Sequence, residues 1–192
     1  MVRSATPSEE AAAIAVVVLA FSADPVARWC WPYPSAYLAH FPAFVKAFGG
    51  RAFAEGTAHT VEGYAGTALW LPPGVGPDEE TMGGLLERTV AAHLQRDLAS
   101  LLEQMERFHP QEPLWYLPLI GVDPARQGRG VGSALMRHAV ALCDRDKQAA
   151  YLEANSPKNV PLYQRHGFEP LGTIQVGSSP TMVPMLRKPR PS

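Results

Sequence analysis

Apolar positions recur along the chain with two periods, and each change of period marks an expected change of element. Residues 2 to 5 read as a short first strand. Thr6, Pro7 and Glu9 read as the N-cap, first-turn proline and third-position acid of a capping box, opening a helix from Pro7 to Phe21. Asp24 to Pro34 reads as a loop rich in aromatic residues and proline, with Trp29, Trp31 and Tyr33 in it. A second helix is expected from Ser35 to Ala47, where Tyr37, Phe41, Phe44 and Phe48 recur at helical spacing until Gly49 and Gly50 end it. Thr57 to Val61 and Tyr64 to Leu71 read as a hairpin turning at Glu62 and Gly63. Pro72, Pro73 and Pro77 stiffen the next loop, and Asp78 to Phe108 is expected to be helical with a break near Gly83 and Gly84.

The second half has a different texture. Leu114 to Val122 is a continuous apolar run of buried-strand type, and Pro118 in its middle lacks a ladder donor. That predicts a bulge, or a point where the strand parts from its neighbour. A glycine-rich loop follows, then a helix from Val131 to Arg145 with Val131, Leu135, Ala139 and Leu142 on one face. Ala149 to Ala154 reads as a strand and Asn159 to His166 as a short helix; Phe168 to Val176 and Met182 to Arg187 form a closing pair of strands. A strand, helix, strand unit closes right-handed with its strands parallel. The fold class is therefore α/β (α+β), a mixed and partly parallel central sheet flanked by helices.

Composition narrows the function classes. The 192 residues are 46% hydrophobic and 18% charged with net charge −1, enough apolar material for one domain spanning 1–192 and no electrostatic footprint for a polyanion. Neither nucleic acid nor a membrane surface is an expected partner. The run from Ala11 to Phe21 is too short to span a bilayer, and Glu9 and Glu10 stand where a signal peptide would be basic. Cys30 and Cys143 lack CxxC spacing, which fits a reducing cytoplasm and gives neither a disulfide framework nor a zinc site. His109, His138 and His166 have no ligand spacing, so no metal is expected.

The most informative segment is Val122-Asp123-Pro124-Ala125-Arg126-Gln127-Gly128-Arg129-Gly130-Val131-Gly132-Ser133, between a buried strand and a helix. Alternating glycines let backbone N–H groups converge at the positive end of a helix dipole, which makes an anion cradle. The alternative is a flexible turn with a helix cap. The dinucleotide fingerprint fails, because the third glycine position counted from Gly128 is Ser133 and five residues separate Val122 from Gly128. No P-loop string is present.

Gln127-Gly128-Arg129-Gly130-Val131-Gly132 resembles the Q/R-x-x-G-x-G/A signature of the GCN5-related N-acetyltransferases, and the stretch from Leu152 to Phe168 is similar to that family's second block, with Asn159, Leu162-Tyr163 and Gly167-Phe168. Residues 109–136 and 159–168 are most similar to small-molecule members of the puromycin N-acetyltransferase type. The resemblance implies acetyl-CoA as cosubstrate, a small-molecule amine as acceptor, an acceptor side in residues 1–112, a coenzyme core in 113–170 and closing strands in 171–192. Family members are often dimers, so a homodimer is possible, though no sequence feature demands one. Acetylation of protein or peptide amines, and a non-catalytic acyl-CoA sensor, stand as alternatives.

By the same resemblance Ile120, Gly121 and Val122 line the pantetheine arm, while Gln127, Gly128, Arg129, Gly130, Val131, Gly132 and Ser133 hold the pyrophosphate. Tyr163 is the candidate general acid, since a phenol keeps its proton at neutral pH; it could instead simply pack. Asn159 is a coenzyme-contacting amide, a helix N-cap, or both. Glu153 is the candidate base, because a buried carboxylate with a raised pKa can take a proton from an amine; a surface Glu is the alternative. Trp29, Trp31 and Tyr33 are either core or the wall of an acceptor pocket suited to an aromatic or apolar amine. Phe41, Phe44 and Phe48 read as core.

Overall fold

In the computed structural model, which describes residues 1–190, the Thr6 N–H donates to the Glu9 carboxylate at 2.9 Å. This half of the capping box leads from β1 (Val2–Ser4) through a 3-10 turn into α1 (Glu10–Ala20). The segment from Asp24 to Pro34 is not a loop throughout. It contains α2 (Pro25–Cys30), capped by Asp24, whose Oδ1 accepts the N–H groups of Val26 and Ala27 at 3.0 and 2.9 Å. Pro25 occupies the first helical position, where a missing N–H costs nothing. Next come α3 (Pro34–Gly49) and α4 (Arg51–Ala54), so Gly49 and Gly50 form a joint between helices.

The hairpin is β2 (Ala58–Val61) and β3 (Gly66–Leu71), and its turn extends over Glu62 to Ala65. Two helices, α5 (Glu79–Thr89) and α6 (Gln95–Phe108), follow. The break expected at Gly83 and Gly84 falls instead at Val90, which has extended backbone. The Gln95 side-chain amide donates to the carbonyls of Leu86, Glu87 and Val90 at 3.1, 3.2 and 2.8 Å. These bonds satisfy the frayed end of α5 and fix the joint six residues beyond the glycines. The remaining elements are β4 (Trp115–Val122), α7 (Val131–Arg145), β5 (Ala150–Ala154), α8 (Val160–Gln164), β6 (Glu169–Pro170) and β7 (Val183–Arg187).

The seven strands form one sheet in the order β1-β2-β3-β4-β5-β7-β6. Only β4 and β5 run parallel, as a crossover through α7 requires. Side chains alternate between the two faces of β3: Leu69 and Leu71 meet the layer of α1 to α6, while Ala68 and Trp70 meet α7 and α8. Among the described residues no helix is long and apolar enough to cross a membrane.

The alternation changes phase in β4. Trp115 and Leu117 face α7, yet so does Ile120, while Tyr116 and Leu119 face the other layer. The pairing explains it. Leu69 stands opposite Leu119 but Leu71 stands opposite Tyr116, so β4 carries one extra residue there. This is a β-bulge at Leu117–Pro118, where a residue without an N–H costs the ladder no bond. On its other edge β4 pairs with β5 only from Trp115 to Leu117. Beyond Pro118 the two strands separate.

Gly121 sits just past that point, under α1. A Cβ there would lie 2.8 Å from Ala20 Cβ and 3.2 Å from Val17 Cα. Overpacking a backbone contact of this kind costs about 1–3 kcal/mol. Gly121→Ala is therefore expected to lower the thermal melting midpoint by several degrees, measured by circular dichroism; an unchanged midpoint would mean that α1 moves off β4 freely.

Candidate active site

The separation of β4 from β5 opens a crevice of about 670 Å³. One wall is β4, with Pro118, Ile120, Gly121 and Val122; the other is the chain after β5 and α8, with Asn155, Ser156, Asn159 and Tyr163. Its end is the glycine loop and the start of α7. Gly128 and Gly130 take φ of +73° and +80°, a left-handed backbone that side chains disfavour, and nothing lies within 4 Å of where their Cβ atoms would be. Among the described residues, no protein acceptor pairs with the N–H groups of residues 127 to 133. Those donors converge at the positive end of α7, with Lys158 and Arg165 in the same crevice. Such an end fits a pyrophosphate, and the unpaired edge of β4 fits an amide-bearing arm.

A second cavity, of about 880 Å³, lies among α2, α3, α5 and α6. Its apolar wall includes Trp31, Phe41, Phe44, Phe48, Met82 and Leu98. Trp31 is fixed at both ends. Its Nε1–H donates to Thr89 Oγ1 at 3.1 Å, and its own carbonyl accepts from Arg28, which also donates to the carbonyls of Ser22 and Pro32. Edge-on contacts of Trp31 with Phe41 and Phe44, at 6.2 and 5.8 Å between centroids, complete the panel.

The two cavities share four residues, Phe21, Asp24, Glu153 and Asn155. This wall brings two carboxylates to the junction. Glu153 Oε2 accepts the Tyr116 hydroxyl at 2.8 Å, and burial lifts its carboxyl to about 7 against that bond. Asp24 Oδ2 accepts the Asn155 amide at 3.2 Å, and burial raises this carboxyl too, against its bonds from Ala27, Asn155 and Val26. Tyr163 is 7% exposed, and burial and then the Asp24 charge push its phenol well above the ordinary value. Behind Glu153, His109 packs edge-on against Tyr116 and Tyr151 at 4.8 and 4.7 Å, and burial lowers its pKa.

Most sequence-predicted residues come together here. Ile120, Gly121, Val122, Gln127, Gly128, Gly130, Val131, Gly132 and Ser133 line the crevice with Asn159 and Tyr163. Arg129 is exposed and does not line it. Asn159 precedes α8 but makes no side-chain cap bond, so its amide is free to face the crevice. Of the aromatic trio only Trp31 lines the large cavity. Trp29 packs against Leu101, Ile174 and Met182 with its Nε1–H on Ser178 at 3.1 Å, and Tyr33 is 74% exposed because Pro34 starts α3 and turns it outward. Phe41, Phe44 and Phe48, expected as core, serve as core and cavity wall together. Asp24, Tyr116, Asn155 and His109 were not singled out for the site. Only Asp24 had a local signal, as a capping residue before proline.

Comparison with known proteins identifies the fold in which this crevice lies. Residues 91–170 match the acetyltransferase (GNAT) domain. The whole chain is similar to a structure of histone acetyltransferase HPA2 and related acetyltransferase from Corynebacterium glutamicum, at 27% identity and TM-score 0.70, covering 100% of this chain and 97% of that one. It shares its fold with arylalkylamine N-acetyltransferase 2 from Aedes aegypti (13% identity, TM-score 0.67, 99% of each chain) and with the Drosophila melanogaster polyamine N-acetyltransferase (14%, TM-score 0.62, 98% and 99%). The fold is that of the GNAT acetyltransferases. The matched GNAT segment begins before α6 and includes β4, the glycine loop, α7, β5 and α8, hence the whole crevice apart from the α1–α2 connection.

The raised carboxyl of Glu153 carries a stability consequence. The unfolded chain titrates near 4.5 and the folded one near 7, so the folded state loses stability as pH rises through that interval and regains none above it. At about 1.4 kcal/mol per unit the penalty is on the order of 3 kcal/mol at alkaline pH. Glu153→Gln is expected to melt higher than the parent by an amount that grows from about pH 5 to about pH 8 and then levels off. A pH-independent difference would contradict burial as the cause.

Proposed function

We propose that this protein is an acetyl-CoA-dependent N-acetyltransferase that transfers the acetyl group directly to a primary amine of a small molecule. The observation that carries the reading is the junction: an anion-cradling crevice and a larger cavity with an aromatic and aliphatic wall meet at Glu153 and Asp24, with Tyr163 on the crevice side. Its GNAT fold supports the same reading. The puromycin-type resemblance lies in residues 109–136 and 159–168, which bear on the coenzyme side and leave the acceptor to be read from the cavity. A cavity of about 880 Å³ with Trp31 and Phe44 in its wall has the size and lining of a small-molecule site, which favours a small amine as acceptor.

Acetyl-CoA supplies a thioester carbonyl that an amine nitrogen attacks and a sulfur that leaves as thiolate. The N–H groups of residues 127, 128 and 130 to 133, with Lys158 and Arg165, hold its phosphates, and the free edge of β4 beyond Pro118 aligns the arm. Glu153, poised near 7, takes the proton that an ammonium must lose before it can attack. Tyr163 keeps its proton at neutral pH and is a weaker acid than the thiol, so it passes that proton to the departing sulfur only as the proton shed by the newly acylated nitrogen replaces it, and the phenol is restored. Both cysteines are buried, and burial pushes each thiol up to about 12, so neither serves as a nucleophile for an acyl-enzyme route.

Two measurements test this. Calorimetry should show acetyl-CoA binding, and no heat at millimolar ligand would remove the reading; Tyr163→Phe should cut kcat by about a hundredfold or more while leaving coenzyme affinity nearly unchanged. Release of free coenzyme A with no member of an amine panel would favour the non-catalytic sensor. The pH profile of kcat/KM should rise through about 7, and this limb should vanish in Glu153→Gln. Persistence of the limb would pass the base role to another group, for which His109, a cavity-lining histidine packed on Tyr116, is a candidate.

A further inference from the structure

The large cavity has a charge pattern that composition conceals. Its lining includes the carboxylates of Asp24, Glu79, Glu103, Glu106, Glu112 and Glu153, and no lysine or arginine. The crevice next to it has the opposite supplement, Lys158 and Arg165 beside the converging N–H groups. Glu103 is paired at the rim with Arg107 at 2.6 Å. Asp24 is different: it is half-buried, no Lys, Arg or His forms an ion pair with it among the described residues, and its partners are two backbone N–H groups and one amide. A half-buried carboxylate facing two cavities with no cation of its own is a place for a ligand's cation.

The body of the ligand is set by the walls between those charges. The cavity volume of about 880 Å³ lies at the upper end for small-molecule sites, and its middle is aromatic and aliphatic, with Trp31, Phe44, Phe48, Met82 and Leu102. A thin hydrated chain would leave these surfaces wet. A carboxylate next to the amine would sit against Asp24 and Glu153 in a site where like charges repel strongly.

Resting on the acetyl-transfer reading above, we infer that the acceptor is a cationic primary amine with a bulky ring-bearing apolar body and no carboxylate, its ammonium held between Asp24 and Glu153 and its body against Trp31, Phe44 and Met82. Asp24 thereby sets specificity by fixing the ammonium beside the base.

Binding to the full chain saturated with coenzyme A, followed by calorimetry, tests this without requiring turnover. Tryptamine, tryptophan and spermidine separate the three features, since the second adds a carboxylate and the third removes the rings. Tryptamine is expected to bind at least about a hundredfold tighter than tryptophan and about tenfold tighter than spermidine. Asp24→Asn retains an oxygen for the α2 cap, so the fold should persist by melting midpoint and coenzyme affinity should hold, while tryptamine binding weakens by about tenfold. Equal binding of tryptophan, tighter binding of spermidine, no binding of any of the three, or an Asp24→Asn variant with parental affinity would each overturn the inference. Tryptamine that binds with the expected selectivity but releases no coenzyme A from acetyl-CoA would instead count against the acetyl-transfer reading and leave the cavity's selectivity standing.

Discussion

The bulge at Leu117–Pro118 is the constraint from which the rest of the site follows. A strand in the middle of a sheet normally loses a ladder bond wherever proline occurs, so proline is confined to edges and irregularities. Here one extra residue opposite β3 absorbs that defect, and on the other side β4 simply stops pairing with β5 after Leu117. Two consequences are geometric. The phase of β4 inverts, so that Gly121 turns toward α1 while Ile120 and Val122 turn toward the crevice. The end of β5 and the residues after it, Glu153 and Asn155, lose the neighbour that would otherwise cover them and become the floor of two cavities. A straight, fully paired β4 would close the crevice.

Charge is then sorted across that floor. Converging N–H groups and the basic side chains Lys158 and Arg165 stand on one side, and carboxylates without a basic residue stand on the other. The net charge of −1 averages the two away. Because the cavities are partly enclosed by apolar walls, each field is weakly screened and acts on what enters. The candidate acid and base sit where the fields meet. Burial there raises the carboxyls of Asp24 and Glu153 and the phenol of Tyr163 together, which leaves the carboxyl of Glu153 able to exchange protons near neutrality and the phenol able to retain one.

How far this was legible in the sequence depends on whether the signal was local. The parallel pair, the crossover helix and the break of pairing at Pro118 follow from short-range rules, and so does the cradle at Gly128 and Gly130, whose left-handed backbone calls for glycine. The α5–α6 joint carries no local mark, because helix propensity points to Gly83 and Gly84, which lie within α5, whereas the Gln95 amide stabilises a break at Val90. The acceptor wall was legible only in kind. That aromatic residues after Asp24 would meet a pocket could be argued, but which of Trp29, Trp31 and Tyr33 does so depends on the rotation of α2, a tertiary quantity. Tyr116 and His109 join the site from β4 and the end of α6, and no spacing announces either.

Asp24 shows how a structural role can hide a functional one. As the N-cap of α2 it needs no further explanation, and serine or asparagine would cap a helix about as well. Those residues would also avoid a half-buried negative charge, which has no basic partner here and whose field raises the phenol of Tyr163 and the thiol of Cys30. The cap accounts for a side-chain oxygen at residue 24 and leaves the charge unexplained. A carboxylate kept at the meeting point of two cavities, at a cost that capping does not require, is most simply understood as the counter-charge of a cation that the free chain does not contain.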